Sequence, residues 1–121
     1  MSDEALISVC VCTFRRPDGL AALLQGLGAQ QDPGGKYEVI VVDNDAAATG
    51  RTTVTQAQER FPALPIRYAV EPQQNIALAR NLTVRQASGR YLAFIDDDET
   101  PAPDWLGRMY ATLGVHAMDA V

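Results

Sequence analysis

The sequence predicts a parallel-sheet α/β fold, organised as one domain over residues 1–121. Three observations carry that expectation. Apolar runs that read as buried strands recur at 6–13, 37–42 and 91–95, the first of them β-branched and without clean alternation, the pattern of a strand covered on both faces. Between them lie segments whose apolar residues repeat at helical spacing, so strand and helix alternate along the chain. No internal repeat, low-complexity tract or linker interrupts the alternation.

Residues 6–13 form the first strand. After Arg15 and Arg16, Pro17 and Asp18 open a helix on which Leu20, Leu23, Leu24 and Leu27 share a face, proline suiting the first turn and aspartate the positive end of the dipole. Asp32, Pro33, Gly34 and Gly35 end it with turn chemistry, and the second strand at 37–42 stops at Asp43, Asn44 and Asp45. From Thr49 the pattern is helical, with Val54, Ala57 and Phe61 on one stripe, until Pro62 and Pro65 break it. Residues 65–70 form a third strand near a sheet edge, because proline cannot donate to a ladder. Asn75 caps a third helix that runs to Ala87, with Gly89 expected as its left-handed carboxyl cap. The fourth strand, 91–95, reads as buried. Pro101 and Pro103 then stiffen a turn before a fourth helix striped by Trp105, Leu106, Met109, Tyr110 and Leu113, after which residues 114–121 trail off.

A hydrophobic fraction of 47% and a charged fraction of 21% are those of a soluble globular protein, and no apolar stretch approaches a membrane span. The acidic start Met1-Ser2-Asp3-Glu4 lacks the basic and apolar regions of a secretory signal, so a cytoplasmic location is expected. A net charge of −5 with scattered Lys and Arg argues against nucleic acid as a partner. Cys10 and Cys12 point to one face of the first strand and suit small buried apolar roles. A zinc set is not in view, since His116 is the only histidine.

Polar clusters end three of the strands: Thr13 to Arg16, Asp43 to Asp45, and Asp96 to Asp98. In a parallel sheet with right-handed crossovers these meet at one edge, where ligands of open α/β sheets bind. Adjacent carboxylates repel, so the run Asp96-Asp97-Asp98-Glu99 calls for a cation with a preference for oxygen ligands. The other reading of that run is an Asp-rich turn that ends a strand in solvent. Oxygen ligands, amides and arginines in one cleft suit a nucleotide diphosphate with Mg²⁺ or Mn²⁺, whereas glycine-rich phosphate cradles of the Gly-x-Gly-x-x-Gly and Gly-x-x-x-x-Gly-Lys kinds are absent.

Four stretches carry a family resemblance: Ile7-Ser8-Val9-Cys10-Val11-Cys12-Thr13-Phe14-Arg15-Arg16-Pro17; Glu38-Val39-Ile40-Val41-Val42-Asp43-Asn44-Asp45; Asn75-Ile76-Ala77-Leu78-Ala79-Arg80-Asn81; and Gly89-Arg90-Tyr91-Leu92-Ala93-Phe94-Ile95-Asp96-Asp97-Asp98-Glu99, followed by Pro103-Asp104-Trp105-Leu106. In order and at fitting spacing, they resemble the amino-terminal half of an inverting family-two glycosyltransferase. The resemblance implies a Rossmann-like GT-A fold truncated after the Asp-x-Asp motif and the following helix. It also implies transfer of a sugar from a nucleotide diphosphate sugar, UDP-sugar favoured, to an acceptor hydroxyl with inversion.

By the same resemblance, Thr13, Asp43 and Asn44 lie where the family contacts a pyrimidine base and Arg16 where a basic residue approaches the nucleotide. Asp96 and Asp97 lie near the ribose, Asp98 ligates Mn²⁺ or Mg²⁺, and Arg80 and Asn81 line the cleft. Local readings stand beside these: Arg80 pairing with an acidic neighbour, Asn81 satisfying backbone groups, Thr13 ending a strand. Two positions depart from the family pattern. Asn44 stands where many relatives are acidic and Asn75 near a common glycine, which leaves the base and the loop shape open.

Inverting transfer needs a carboxylate base, which in the family follows the Asp-x-Asp motif at a distance. Neither Asp104 nor Asp119 matches it, so the base is expected beyond Val121 and the chain is expected to bind a nucleotide without robust transfer. The acceptor, a glycan or lipid carrier, and peripheral membrane attachment would then belong to a full-length parent. Exposed apolar surface on a truncated face would favour self-association. A phospho-acceptor receiver domain is the weaker rival, because the first strand ends in Thr13-Phe14-Arg15-Arg16 instead of an acidic pair. A non-catalytic binding module of the same fold is the stronger one.

Overall fold

The structure, a computed structural model, describes residues 6–31, 33 and 35–120. The acidic start at residues 1–4, Asp32 and Gly34 of the expected turn, the side chain of Asp119, and Val121 lie outside the described residues. Four strands and four helices alternate: β1 (Leu6–Thr13), α1 (Pro17–Gly28), β2 (Lys36–Asp43), α2 (Arg51–Arg60), β3 (Ile66–Val70), α3 (Ile76–Gln86), β4 (Tyr91–Phe94) and α4 (Trp105–Ala120). The sheet is parallel throughout, in the order β3-β2-β1-β4. The chain thus moves outward from β1 through β2 to β3, then returns by α3 to place β4 on the other side of β1. That reversal puts a crevice between the carboxyl ends of β1 and β4.

Side-chain alternation sorts the core into two layers. Ile7, Val9 and Val11 of β1, Val39 and Val41 of β2, and Ala93 and Ile95 near β4 face the layer that holds Leu20, Leu23, Leu24 and Leu27 of α1, Val54 of α2 and Leu106 of α4. Burying each of those leucines contributes about 1.5–3 kcal/mol, so this face is the main source of stability. Gln30, just past α1, fastens α4 to it: the amide oxygen of Gln30 accepts from the Leu106 N–H at 2.8 Å. The opposite face is thinner. Ile40, Val42 and Ala79 form a small cluster, with Cys12, Leu82 and Ala87 packed beside it.

The expected elements appear, with three differences. β4 is not covered on both faces: it is an edge strand, and Leu92 (42% exposed) and Phe94 (50% exposed) lie open because α3 packs over β1 and β2. Helix α4 does not trail off at Gly114 but continues to Ala120. Gly89 is not a left-handed cap. Helix α3 ends at Gln86, with Ala87 already extended (φ −72°, ψ 139°), and Gly89 serves a close approach in which a Cβ would lie 2.5 Å from Ser8 Oγ and 2.7 Å from the Leu6 carbonyl oxygen. Asn75 does cap α3, its side-chain oxygen accepting from the Ala77 and Leu78 N–H groups at 2.9 and 3.2 Å. No helix among the described residues is long and apolar enough to cross a membrane.

Candidate functional site

At the β1/β4 crevice the structure opens a cleft of about 270 Å³. Thr13, Arg16, Asn44, Arg80, Asp96, Asp97 and Asp98 all line it, so seven of the sequence-predicted site residues converge there. Asp43 and Asn81 do not line it: Asp43 is fully buried behind the cleft wall, and Asn81 is on the exposed surface of α3. Cys10 and Cys12, both free thiols, also line the cleft. Burial pushes both thiols up, Cys12 to about 11 even though Arg80 pulls the other way, so each is a neutral, inert group near neutral pH.

The end of β1 is held by two acids. Thr13 Oγ1 donates to Asp97 Oδ2 at 3.0 Å, and Arg16 Nε stands 3.9 Å from Asp97 Oδ1. Arg15 takes the left-handed conformation (φ 53°), which costs a non-glycine residue about 1–2 kcal/mol, and its Nε donates to Asp45 Oδ2 at 3.1 Å while its guanidinium stacks over Phe14. Asp45 also accepts from the Ala47 N–H and the Thr49 hydroxyl. The Ala47 bond first, with Arg15 and Thr49, outweighs desolvation and holds the Asp45 carboxyl below its usual range.

The polar end of β2 is used structurally. Asp43 Oδ2 accepts from the Tyr68 hydroxyl at 2.6 Å and the Gly50 N–H at 2.7 Å, and its Oδ1 accepts from the Asp45 N–H at 3.2 Å. Burial first, and then Asp43, push the Tyr68 hydroxyl pKa up, so the phenol stays a donor. Asn44 straps the loop after β3: its Nδ2 donates to the Glu71 and Gln73 carbonyls at 3.0 and 2.7 Å, and its Oδ1 accepts from the Asn75 N–H at 3.0 Å. Both amide hydrogens are thereby spoken for, and a base contact by Asn44 would have to displace a backbone bond.

The acidic turn after β4 is different in kind. Carboxylate oxygens of Asp96, Asp98 and Glu99 lie within 4.8 Å of one another, and all three residues are exposed. The turn closes through the Glu99 N–H to the Asp96 carbonyl and the Asp96 N–H to Glu99 Oε1, both at 3.0 Å. Three hard oxygen donors with neither thiolate nor imidazole among them fit Mg²⁺ or Mn²⁺ and disfavour zinc. The family resemblance marks Asp98 alone as a ligand and leaves Glu99 unassigned within the acidic run. The available signal was its spacing, three residues after Asp96, which a tight turn brings back to the start.

Comparison of the whole chain with known proteins identifies a family. The model of "Glycosyl transferase family 2" covers residues 8–121. The succinoglycan biosynthesis protein ExoM of Rhizobium meliloti (strain 1021) is 42% identical over 114 residues, an overlap of 93% of this chain and 36% of that protein. Among solved structures, the mannosyltransferase PcManGT from Pyrobaculum calidifontis, in complex with GDP-Man and Mn²⁺, superposes with a TM-score of 0.75 at 27% identity over 84% of this chain and 30% of its own. S. aureus TarS 1–349 with UDP shares the fold, with a TM-score of 0.76 at 24% identity over 92% of this chain and 32% of its own. The chain spans about a third of the length of the relatives it matches. It belongs to glycosyl transferase family 2 and has the α/β fold of GT-A glycosyltransferases.

Proposed function

We propose that this chain carries the nucleotide-diphosphosugar and divalent-cation site of an inverting glycosyltransferase, with a UDP-sugar as the favoured donor. The observation that carries the reading is the convergence of Asp96, Asp98 and Glu99 within 4.8 Å at a switch-point cleft that Arg16 and Arg80 also line. Asp98, assisted by Asp96 and Glu99, would hold Mn²⁺ or Mg²⁺. When bound, the cation offsets the negative charge of a departing nucleoside diphosphate. Arg16 and Arg80 supply guanidinium groups that suit phosphate oxygens, and Asp96 would accept a hydrogen bond from a ribose hydroxyl. Thr13 and Asn44 shape the wall for the base, with Asp43 bracing that wall from behind. Asn81 receives no role in this reading.

No residue of this chain is assigned as the general base. Asp104 is committed to Arg108, whose Nη2 donates to it at 2.8 Å. The base and the acceptor contacts, for a glycan or a lipid carrier, are left to sequence of the kind the longer relatives contain. A role in building a cell-envelope polysaccharide, with the donor bound in the cytoplasm, is part of this proposal; the likeness to a succinoglycan biosynthesis protein supports the polysaccharide part of it.

Calorimetric titration of UDP into the chain with Mn²⁺, repeated with EDTA, with GDP and with Asp98→Ala, tests the reading. Binding that requires both the metal and Asp98 supports it, and the UDP/GDP arms decide the base. Absence of UDP and GDP binding by the folded chain in the presence of Mn²⁺ would refute it. A second reading, a non-catalytic self-associating module, is favoured by one observation: Ile76, Val84, Leu92 and Phe94 are exposed large hydrophobics on α3 and β4. Sedimentation at increasing concentration tests it, and a monomer throughout would remove it.

A further inference from the structure

We propose that Asp97 is a positioning residue: it latches the acidic turn at 96–99 to the end of β1 and the first turn of α1, so that Asp96, Asp98 and Glu99 converge. Within the turn Asp97 alone is not exposed. Its side chain is 14% accessible, whereas Asp96, Asp98 and Glu99 face solvent. Both of its carboxylate oxygens have a partner, Oδ2 the buried Thr13 hydroxyl at 3.0 Å and Oδ1 the exposed Arg16, whose Nε is 3.9 Å away. Thr13 is itself 3% exposed, so the contact anchors the turn to the rigid end of a central strand.

The backbone of Asp97 is seated as closely as its side chain. A Cβ built on Gly19 would lie 2.5 Å from the Asp97 carbonyl oxygen, closer than real Cβ contacts come. Glycine at position 19 therefore lets α1 pack directly beneath the turn. Three exposed like charges repel one another and push such a turn open, and the inward-facing fourth carboxylate opposes that. A nucleotide contact by Asp97 would require it to release Thr13. The latch stands on these contacts, while its consequence for cation binding rests on the function proposed above.

The test compares the wild-type chain with Asp97→Ala, Asp97→Asn and Gly19→Ala. Exchange of the Glu99 amide, which closes the turn, is followed by NMR without metal. Mn²⁺ affinity is read separately from the EPR signal of the free ion. Asp97→Ala should accelerate Glu99 exchange and weaken Mn²⁺ binding, each on the order of tenfold, the equivalent of one hydrogen bond of ordinary strength. Gly19→Ala should do the same with every carboxylate in place, and Asp97→Asn, which keeps an oxygen for Thr13, should recover most of the loss. Unchanged exchange in Asp97→Ala overturns the latch, and if UDP affinity falls at the same time Asp97 is a direct ligand. Should the wild-type chain bind no Mn²⁺, the cation reading fails and the exchange data alone decide the latch. If Asp97→Ala does not fold, Gly19→Ala and Asp97→Asn decide it.

Discussion

Asp43→Asn separates an acid that builds the site from one that touches a ligand. Three donors converge on this fully buried carboxylate, two of them, the Tyr68 hydroxyl and the Gly50 N–H, on the same oxygen. Asparagine offers one acceptor atom. If its oxygen serves Tyr68 and Gly50, its NH₂ is turned toward the Asp45 N–H, donor against donor. Losing charge assistance on two bonds and stranding one buried N–H sums to about 2–5 kcal/mol. That is a large part of a domain stability of about 5–15 kcal/mol. Tyr68→Phe removes one bond to an ionised acceptor and should cost about 1.5–3 kcal/mol. Urea unfolding followed by fluorescence of Trp105, the single tryptophan, measures both. The double variant should cost less than the sum of the two, because both changes act on one bond. Asp43→Asn with stability within about 0.5 kcal/mol of wild type, but with UDP affinity lost, would exclude the structural role and put Asp43 at the ligand.

Two further outcomes follow from the other end of the sheet. Glu38 is buried, and its Oε2 accepts from the Ser8 hydroxyl and from the Ser88 N–H and hydroxyl, with the Arg67 Nε 3.8 Å from Oε1. Desolvation raises its pKa, but those bonds and Arg67 outweigh it, so the folded-state pKa is lowered. The stabilisation is therefore present above the ordinary carboxylate range and lost as pH falls through the folded value. Glu38→Gln should cost about 1–3 kcal/mol at neutral pH and flatten the acid limb of a stability–pH profile measured by urea unfolding. An acid limb as steep as that of wild type would count against this assignment. Gly89→Ala should cost about 1–3 kcal/mol in the same assay, because its Cβ meets Leu6 and Ser8 backbone atoms that cannot rotate away. Unaltered stability would show that the strand can shift.

Elements with strong local signals were legible in the sequence. The four leucines of α1 repeat at helical spacing under a proline, and β1 and β2 are mostly apolar and rich in β-branched residues, so period and length agree. Asn75 was legible as a cap because its side chain bonds only to its own helix. What escaped were properties set by partners distant in sequence. Tyr91 to Ile95 is as apolar as β1, yet nothing local says that β4 lies at an edge with one face uncovered. Gly89 follows a helix as a cap would, but its requirement comes from Ser8, 81 residues away, whose Oγ accepts the Gly89 N–H. Gly114 resembles a stop, and α4 continues through it because a single glycine weakens a helix by only about 1 kcal/mol.

The same distinction explains why the strand-end acids could be found as a group but not told apart. Asp43, Asp45 and Asp97 turn inward and accept bonds from Tyr68 on β3 and from Arg15 and Thr13 at the end of β1, donors remote from them in sequence. Asp96, Asp98 and Glu99 turn outward and leave most of their oxygens to solvent. Adjacent carboxylates are identical in sequence, and alternation alone does not decide which of two neighbours meets a donor. The donors decide, and they arrive only when the strands pair: β3 beside β2 brings Tyr68 to Asp43, β2 beside β1 brings Arg15 to Asp45, and β4 beside β1 brings Thr13 to Asp97. Removing an inward acid should therefore register first as lost rigidity or stability, and removing an outward one as lost ligand affinity with the fold intact. An inward acid whose removal affected only ligand binding would mean that the cleft rearranges when it is filled.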